Sequence, residues 1–325
     1  MKPYDSQVLY RQYNRLIGIQ TRECEEINID NWLNPNSPSY NKTLADAIFH
    51  YSPRAKANQR FEVCISTPEM KAAAWKYAYK SQIILDSTFG VCTRKLLLLI
   101  VMGVDEKSRC VPLAFLLFSA PSGNKTTSSG YDMTLLTRLL QVWRMDMEKT
   151  GGKPFEVLVA ITNTDLKERA ALVQVFSHIW LLLCKFHIRQ SWRNHRNKKL
   201  KGKTPVLIDI KNRMQVLERS LIQTTAYGVA CALVQKERGI LTAAINNNDS
   251  GSAAKRGLEH LEYLEGYWLK ESLWQSWSDF GCRAASQILG CTLEGVLPTT
   301  NHLESFNGVL KWKHLQRWNR GGCRL

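Results

Sequence analysis

Between residues 83 and 183 the hydrophobic pattern switches repeatedly between strand and helix periods, and the order of those switches restricts the fold most. Ile83-Ile84-Leu85-Asp86-Ser87-Thr88-Phe89 is a short apolar run that ends in polar residues. Leu96 to Val104 and Val111 to Phe118 are two more, and Asp105-Glu106-Lys107-Ser108 between them predicts a hairpin. Asp132 to Lys149 then reads as a helix, with Leu135, Leu136, Leu139, Leu140 and Trp143 on one face and Gly151-Gly152 as its stop. Phe155 to Ile161 predicts a fourth strand, Leu166 to about Ser177 a helix, and Ile179 to Leu183 a fifth strand. The order β-β-β-α-β-α-β predicts an α/β fold, a mixed sheet with helices on both faces. In such a sheet the first strand sits centrally beside the fourth. Asp86 and Asp165 then lie side by side at the carboxyl edge, where α/β sites are built.

The flanks read differently. Residues 1 to about 60 are polar, with helical stretches and a loop at Asn34-Pro35-Asn36-Ser37-Pro38, and predict a helical lead-in to the core. Within residues 61–82 an alanine-rich helix is expected after Ser66-Thr67-Pro68, with Thr67 as N-cap and Pro68 in the first turn. Residues 205–280 lack strand alternation and predict helices at Leu207 to Thr224, Tyr227 to Lys236 and the aromatic-rich Leu258 to Phe280. A polar loop is expected over residues 246–252. The division expected is a lead-in over 1–60, a core over 61–204 holding both aspartates, an all-α insertion over 205–296, and a last core helix within 297–325 that is cut short.

Charge points to a partner class. The chain of 325 residues carries 44 Lys and Arg against 28 Asp and Glu, a net charge of +16. Up to Asp165 there are 20 cations against 16 acids, and beyond it 24 against 12, so +12 of the excess lies in the second part. A concentrated basic excess is the electrostatic footprint of a polyanion partner. The longest apolar run, Leu96 to Val104, is far short of the roughly 20 residues that span a bilayer. The start, Met1-Lys2-Pro3-Tyr4-Asp5, has no apolar segment of secretory type, and nine scattered cysteines fit a reducing compartment. No membrane partner is expected.

Asp86 and Asp165 each follow a buried apolar run, where an unpaired charge is costly. Two carboxylates at one sheet edge call for a cation, and an oxygen site suits Mg²⁺ or Mn²⁺. The alternative is a helix N-cap or a strand-end turn. Glu304, in Thr300-Asn301-His302-Leu303-Glu304-Ser305-Phe306-Asn307, has the same two readings. Leu303, Phe306 and Leu310 mark a helix start, and Asn301 with Glu304 three residues on has capping-box spacing. The same geometry sets a carboxylate on the first turn, free to face a metal. Cys184-Lys185-Phe186-His187 is half of a zinc site at most, because no second pair stands at ligand spacing; packing of a buried cysteine is the alternative. From Arg169 to Ile208 there is no acidic residue. Lys185, Arg189, Arg193, Arg196, Lys198 and Lys199, interleaved with Trp192, favour phosphate contact over a mixed-sign solvated face. Lys311, Lys313, Arg317, Arg320 and Arg324, with Trp312 and Trp318, form a second basic patch after Glu304.

Leu85-Asp86-Ser87-Thr88-Phe89, Thr162-Asn163-Thr164-Asp165 through Ala170-Ala171-Leu172, Cys184-Lys185-Phe186-His187, and Thr300-Asn301-His302-Leu303-Glu304-Ser305-Phe306-Asn307-Gly308-Val309-Leu310-Lys311 occur in that order. Together they resemble the catalytic core of Mutator-like element (MULE) transposases over roughly residues 60 to 320. The resemblance implies an RNase H-like fold with an all-α insertion before the last acidic residue. It implies a DDE triad of Asp86, Asp165 and Glu304 that binds two Mg²⁺ or Mn²⁺ ions for DNA cleavage and strand transfer. It matches Cys184 and His187 to the family's C-x-x-H element, and implies double-stranded DNA as partner, possible homo-oligomers and a nuclear location. Family members carry a zinc-type DNA-binding domain upstream, and none is expected before residue 60. Two other readings remain open: a transposon-derived DNA-binding protein without catalysis, and an RNase H-like nuclease.

Overall fold

The computed structural model describes residues 25–54, 59–91, 96–107, 109–120, 131–246, 250–297 and 299–315, with the isolated positions 19, 23 and 56, and without the side chains of 25 and 302. Its centre is a seven-stranded mixed sheet flanked by helices. The strands are β1 (Ile48–Ser52), β2 (Glu62–Ile65), β3 (Gln82–Thr88), β4 (Leu96–Val104), β5 (Cys110–Ser119), β6 (Val159–Thr162) and β7 (Trp180–Leu183). Their spatial order is β1-β2-β5-β4-β3-β6-β7. β4 pairs antiparallel with both β3 and β5, while β6 pairs parallel with β3 and with β7. The first strand of the expected series does sit beside the fourth.

Alternation along the central strands explains why both sheet faces are covered. Ile83 and Leu85 of β3 and Leu97, Leu99 and Val101 of β4 belong to one core. That core is closed by α3 (Pro68–Tyr77), α4 (Met133–Gly151) and α5 (Leu166–Val175) through Ala74, Leu136, Leu139, Trp143, Leu172 and Val175. Ile84, Leu98, Ile100 and Met102 face the other way. A strand buried on both faces reads as a continuous apolar run, which is the pattern of residues 83–85 and 96–102. Helix starts follow local chemistry. Thr67 accepts from the Met70 N–H with Pro68 next, and Asp132 caps α4 through the Leu135 N–H at 2.8 Å. Gly152 ends α4 at φ +67°, where a side chain would be strained.

The lead-in is not only helical. After α1 (Glu25–Leu33) and α2 (Lys42–Ala47), residues 48–52 form an edge strand of the core sheet, and 62–65 form its neighbour. Both strands are short and half polar, so neither shows a clear period. Glu62 ties them together, meeting His50 at 2.8 Å and Arg138 of α4 at 2.6 Å. The strand expected from Phe155 begins only at Val159. Before it, the Phe155 N–H turns to the Glu148 carboxylate, and Leu158 and Val159 both donate to the Ser81 carbonyl.

Beyond β7 lie α6 (Lys185–Lys199), α7 (Pro205–Ile222), α8 (Tyr227–Ala244), α9 (Gly251–Tyr263), α10 (Glu271–Trp277), α11 (Asp279–Leu289) and α12 (Asn301–Val309). The helix expected to stop at Lys236 runs eight residues further, and the aromatic-rich stretch is broken into several helices by a π turn over Leu264–Trp268. Trp192, Trp268, Trp274 and Trp277 are buried in a separate core with Met214, Leu217 and Leu261. α11 and α12 cover the second sheet face through Ala285 and Leu303. No helix among the described residues is long and apolar enough to cross a membrane.

Candidate active site

β3 leads Asp86 to the sheet edge nearly buried, with its Oδ1 accepting from the Ser87 N–H at 2.8 Å. The parallel register pairs Ile84 with Ile161, so the residue opposite Asp86 is Asn163. Asn163 Nδ2 lies 3.5 Å from Asp86 Oδ1, and Asn163 Oδ1 accepts from the Asp165 N–H at 2.7 Å. Asn163 thus ties the two aspartates together, its amide reaching Asp86 and its oxygen the Asp165 backbone. Asp165 itself is a helix N-cap: Oδ1 accepts from the N–H groups of Lys167 at 2.8 Å and Glu168 at 3.3 Å. Its Oδ2 accepts a hydrogen bond from the Tyr131 hydroxyl. The capping and site readings of Asp165 therefore coincide in one residue.

Glu304 reaches the same edge from α12. Its N-cap is Thr300 rather than Asn301, which removes the expected capping box. The Thr300 hydroxyl does not cap either, because it is engaged by Cys184 Sγ at 3.2 Å. Glu304 Oε1 instead meets His187 Nε2 at 3.0 Å. His187 is held above its ordinary pKa, first by a hydrogen bond to Cys184, with the charges of Cys184, Asp86 and Glu304 adding to it. Burial raises the Asp86 carboxyl, and Glu304 raises it further against the opposing pull of His187. Burial likewise pushes Cys184 up, but hydrogen bonds from His187 and Thr300 outweigh it and leave the thiol below its usual range. Asp86, His187 and Glu304 form one electrostatic group.

A fourth carboxylate was not legible as a site residue. Glu168 on the first turn of α5 is fully buried, and neither of its oxygens has a hydrogen-bond partner. Burial lifts it to about 8, and Asp165 and Asp86 push the same way, against a smaller pull from the Ser87 hydroxyl. Its spacing from Asp165 resembles a capping box, which marks a glutamate as surface. The signal that finds it is the stripe it shares with Ala171, Leu172 and Val175, three to seven residues on and all buried. Tyr131 was missed as well: it stands outside any periodic run, and burial and then Asp165 raise its hydroxyl above its ordinary pKa.

The basic helix α6 divides into an inner and an outer face. Lys185 is buried against Asp279 Oδ1 at 2.6 Å, and Arg196 is buried against Glu218. These two are not free for phosphate, because each is committed to an internal carboxylate from a distant part of the chain. Lys199 pairs with Glu259 at 2.7 Å, half-exposed. Arg189, Arg193 and Lys198 are exposed, as is Lys313, while Lys311 is half-buried. Arg317, Trp318, Arg320 and Arg324 lie outside the described residues.

The donors at this edge are hard oxygens with an excess of negative charge, a set that suits Mg²⁺ or Mn²⁺. Among the described residues, no three His, Cys, Asp or Glu side chains stand ready as a cation cage. The chain matches no known protein-family profile, and comparison with curated proteins finds no significant match.

Proposed function

We propose that this chain is the core of a DDE-type DNA transposase of the Mutator-like kind, RNase H-like in fold, that cleaves DNA and transfers strands. The observation that carries this reading is the gathering of Asp86, with Asp165 tied in through Asn163, at the carboxyl edge of adjacent parallel strands, where Glu304 on α12 is near enough to act on the Asp86 charge. A three-strand meander followed by two helix-separated parallel strands is the sheet that an RNase H-like core requires. The helices α7 to α11 intervene between the second aspartate and Glu304, where the resemblance expects an insertion.

Asp86, Asp165 and Glu304 would hold the divalent ions, with Asp165 doing so once Tyr131 releases Oδ2. Bound there, two ions supply a nucleophilic oxygen and stabilise the leaving one. The chain's own groups position. Asn163 spaces the aspartates, His187 orients Glu304, and Asp86 sits at the sheet edge where an oxygen ligand faces little competing water. Arg189, Arg193, Lys198, Lys311 and Lys313 supply phosphate contacts to double-stranded DNA, and a nuclear location goes with the family resemblance. The second reading, a DNA-binding remnant without catalysis, is favoured by one observation: both Asp165 oxygens are already engaged.

Nicking of supercoiled DNA in Mn²⁺ separates the two. Asp86→Asn, Asp165→Asn and Glu304→Gln are each expected to lower nicking at least about a hundredfold, since each removes charge that stabilises the transition state. Duplex binding should stay within a few fold. A wild-type chain that binds DNA but does not nick it would leave the remnant reading standing.

A further inference from the structure

Cys184 and His187 lie on neither the proposed metal triad nor the basic face, yet both reach α12. Cys184 follows β7 directly, and its N–H donates to the Thr162 carbonyl at 2.9 Å, which fixes its backbone to the sheet. Its side chain is 1% exposed, and Sγ accepts from both the N–H and the hydroxyl of Thr300, each at 3.2 Å. Thr300 is fully buried, and its carbonyl accepts from the N–H groups of Leu303 and Glu304. The sulfur therefore grips the residue that starts α12. Three residues beyond Cys184, His187 Nε2 meets Glu304 Oε1 at 3.0 Å. Spacings of three and four residues put two side chains on one helix face. Cys184 and His187 are three apart, Thr300 and Glu304 four apart, and each member of the first pair holds one of the second. Leu303, between the two contacts, fills the core beside Cys184, Leu182 and Ile84.

We infer that Cys184 and His187 are a two-point latch that docks the Glu304 helix on the sheet edge and sets Glu304 beside Asp86. Two contacts one helical turn apart fix both the position of α12 along its axis and its rotation, which a single contact cannot do. A thiol suits the first point, because it packs as a small apolar group among leucines and still accepts weak hydrogen bonds. The latch also accounts for the C-x-x-H spacing without a second ligand pair, since Cys184 Sγ and His187 Nε2 each meet a group on α12. It stands on these contacts alone; its bearing on cleavage rests on the function proposed above. In that setting Cys184, Thr300 and His187 are positioning residues.

Hydrogen exchange of the full chain, read on peptides covering residues 299–309, tests the latch without any activity. Cys184→Ala removes both sulfur contacts to Thr300, and the one to His187, and should speed exchange at the start of α12 about tenfold. Thr300→Val removes only the hydroxyl contact and should act less. The double variant should match Cys184→Ala, because both changes delete one shared interaction. Cys184→Ser keeps an acceptor and should stay near wild type, which guards against a trivial folding defect. Additive effects, or unchanged protection in Cys184→Ala, would overturn the latch, as would stoichiometric zinc lost on Cys184→Ala. For the second point, His187→Ala should raise the Mn²⁺ concentration for half-maximal nicking by about tenfold, with His187→Gln restoring most of it. Equal loss in both variants with unchanged Mn²⁺ dependence would exclude positioning through Glu304. If the wild type does not nick, the exchange arm still decides the latch, so its failure and that of the proposed function are separable.

Discussion

Charge is buried in two places in this molecule, and the two places treat it oppositely. In the helical block, Glu218 is 7% exposed but takes Arg196 on one oxygen and His260 Nε2 on the other at 2.9 Å. A carboxylate only accepts, so His260 donates from Nε2 and offers Nδ1 as an acceptor to the Nδ1–H of His195, 2.9 Å away. Each buried side chain here has a partner of opposite character, from Arg196 on α6 through Glu218 on α7 to His260 on α9, and only Arg196 Nε is left over. At the sheet edge, Glu168 is buried with no cation beside it, helped only by the Ser87 hydroxyl and in the company of Asp165 and Asp86. A satisfied network holds helices in register; an unsatisfied one costs stability and needs another reason to persist. Perturbed carboxyls gathered at a sheet edge are where chemistry is expected.

Breaking the satisfied network should have the largest effect. Glu218→Ala leaves Arg196 buried without a counter-charge, and unfolding in urea should show a loss of about 3–5 kcal/mol. A loss below 1 kcal/mol would mean that the helical block relaxes around the vacancy and that its network is decoration. The opposite sign is expected at the sheet edge. Glu168 has a folded pKa of about 8 against an ordinary 4.5. The unfolded chain therefore gives up this proton at lower pH, so the contribution to stability falls as pH rises from 4.5 to 8. Glu168→Gln should abolish that fall and stabilise the protein at pH 8 by an amount on the order of 3 kcal/mol. A destabilised Glu168→Gln would show that the carboxylate has a stabilising partner after all.

His195 sharpens the contrast. Burial lowers it to about 4, with His260 and nearby lysines adding to the effect, against an ordinary 6.5. The unfolded chain binds this proton first, so stability is lost as pH falls from 6.5 towards 4. His195→Gln should flatten the acid side of the stability profile, while Glu168→Gln flattens the alkaline side. Thermal unfolding from pH 4 to 8 reads both. One variant altering both limbs would join the two regions into a single titrating system and undo the comparison.

What the sequence disclosed divides along the same line. The central strands, the capped helices α3 and α4 and the closeness of Asp86 to Asp165 all follow from periodicity and local rules, because residues such as Ile84, Thr67 and Asp132 act on neighbours in the chain. The strands β1 and β2 were hidden, since what orders them is Glu62 reaching across to Arg138. The same distance rule explains Lys185 and Arg196. Their partners, Asp279 and Glu218, stand 94 and 22 residues away, and no local pattern distinguishes a basic residue turned inward from one in solvent. Glu168 was hidden for another reason: its spacing from Asp165 imitates a surface cap.

The outer face of α6 carries the last and smallest prediction for stability, and it tests whether the division of that helix is real. Arg189, Arg193 and Lys198 are exposed, so changing all three to glutamine should alter folding stability by less than about 0.5 kcal/mol. On the proposed function, the same change removes three phosphate contacts. The slope of log affinity against log salt should then flatten by about 2.7, at roughly 0.9 per phosphate contact on duplex DNA. The control is Arg196→Gln, which should behave in reverse, costing stability through Glu218 while leaving the salt slope alone. A flattened slope from Arg196→Gln, or an unchanged one from the triple variant, would mean that DNA meets this protein on some other surface. α6 would then serve the helical core alone, and its long run without acids would record only the distant carboxylates it was built to meet.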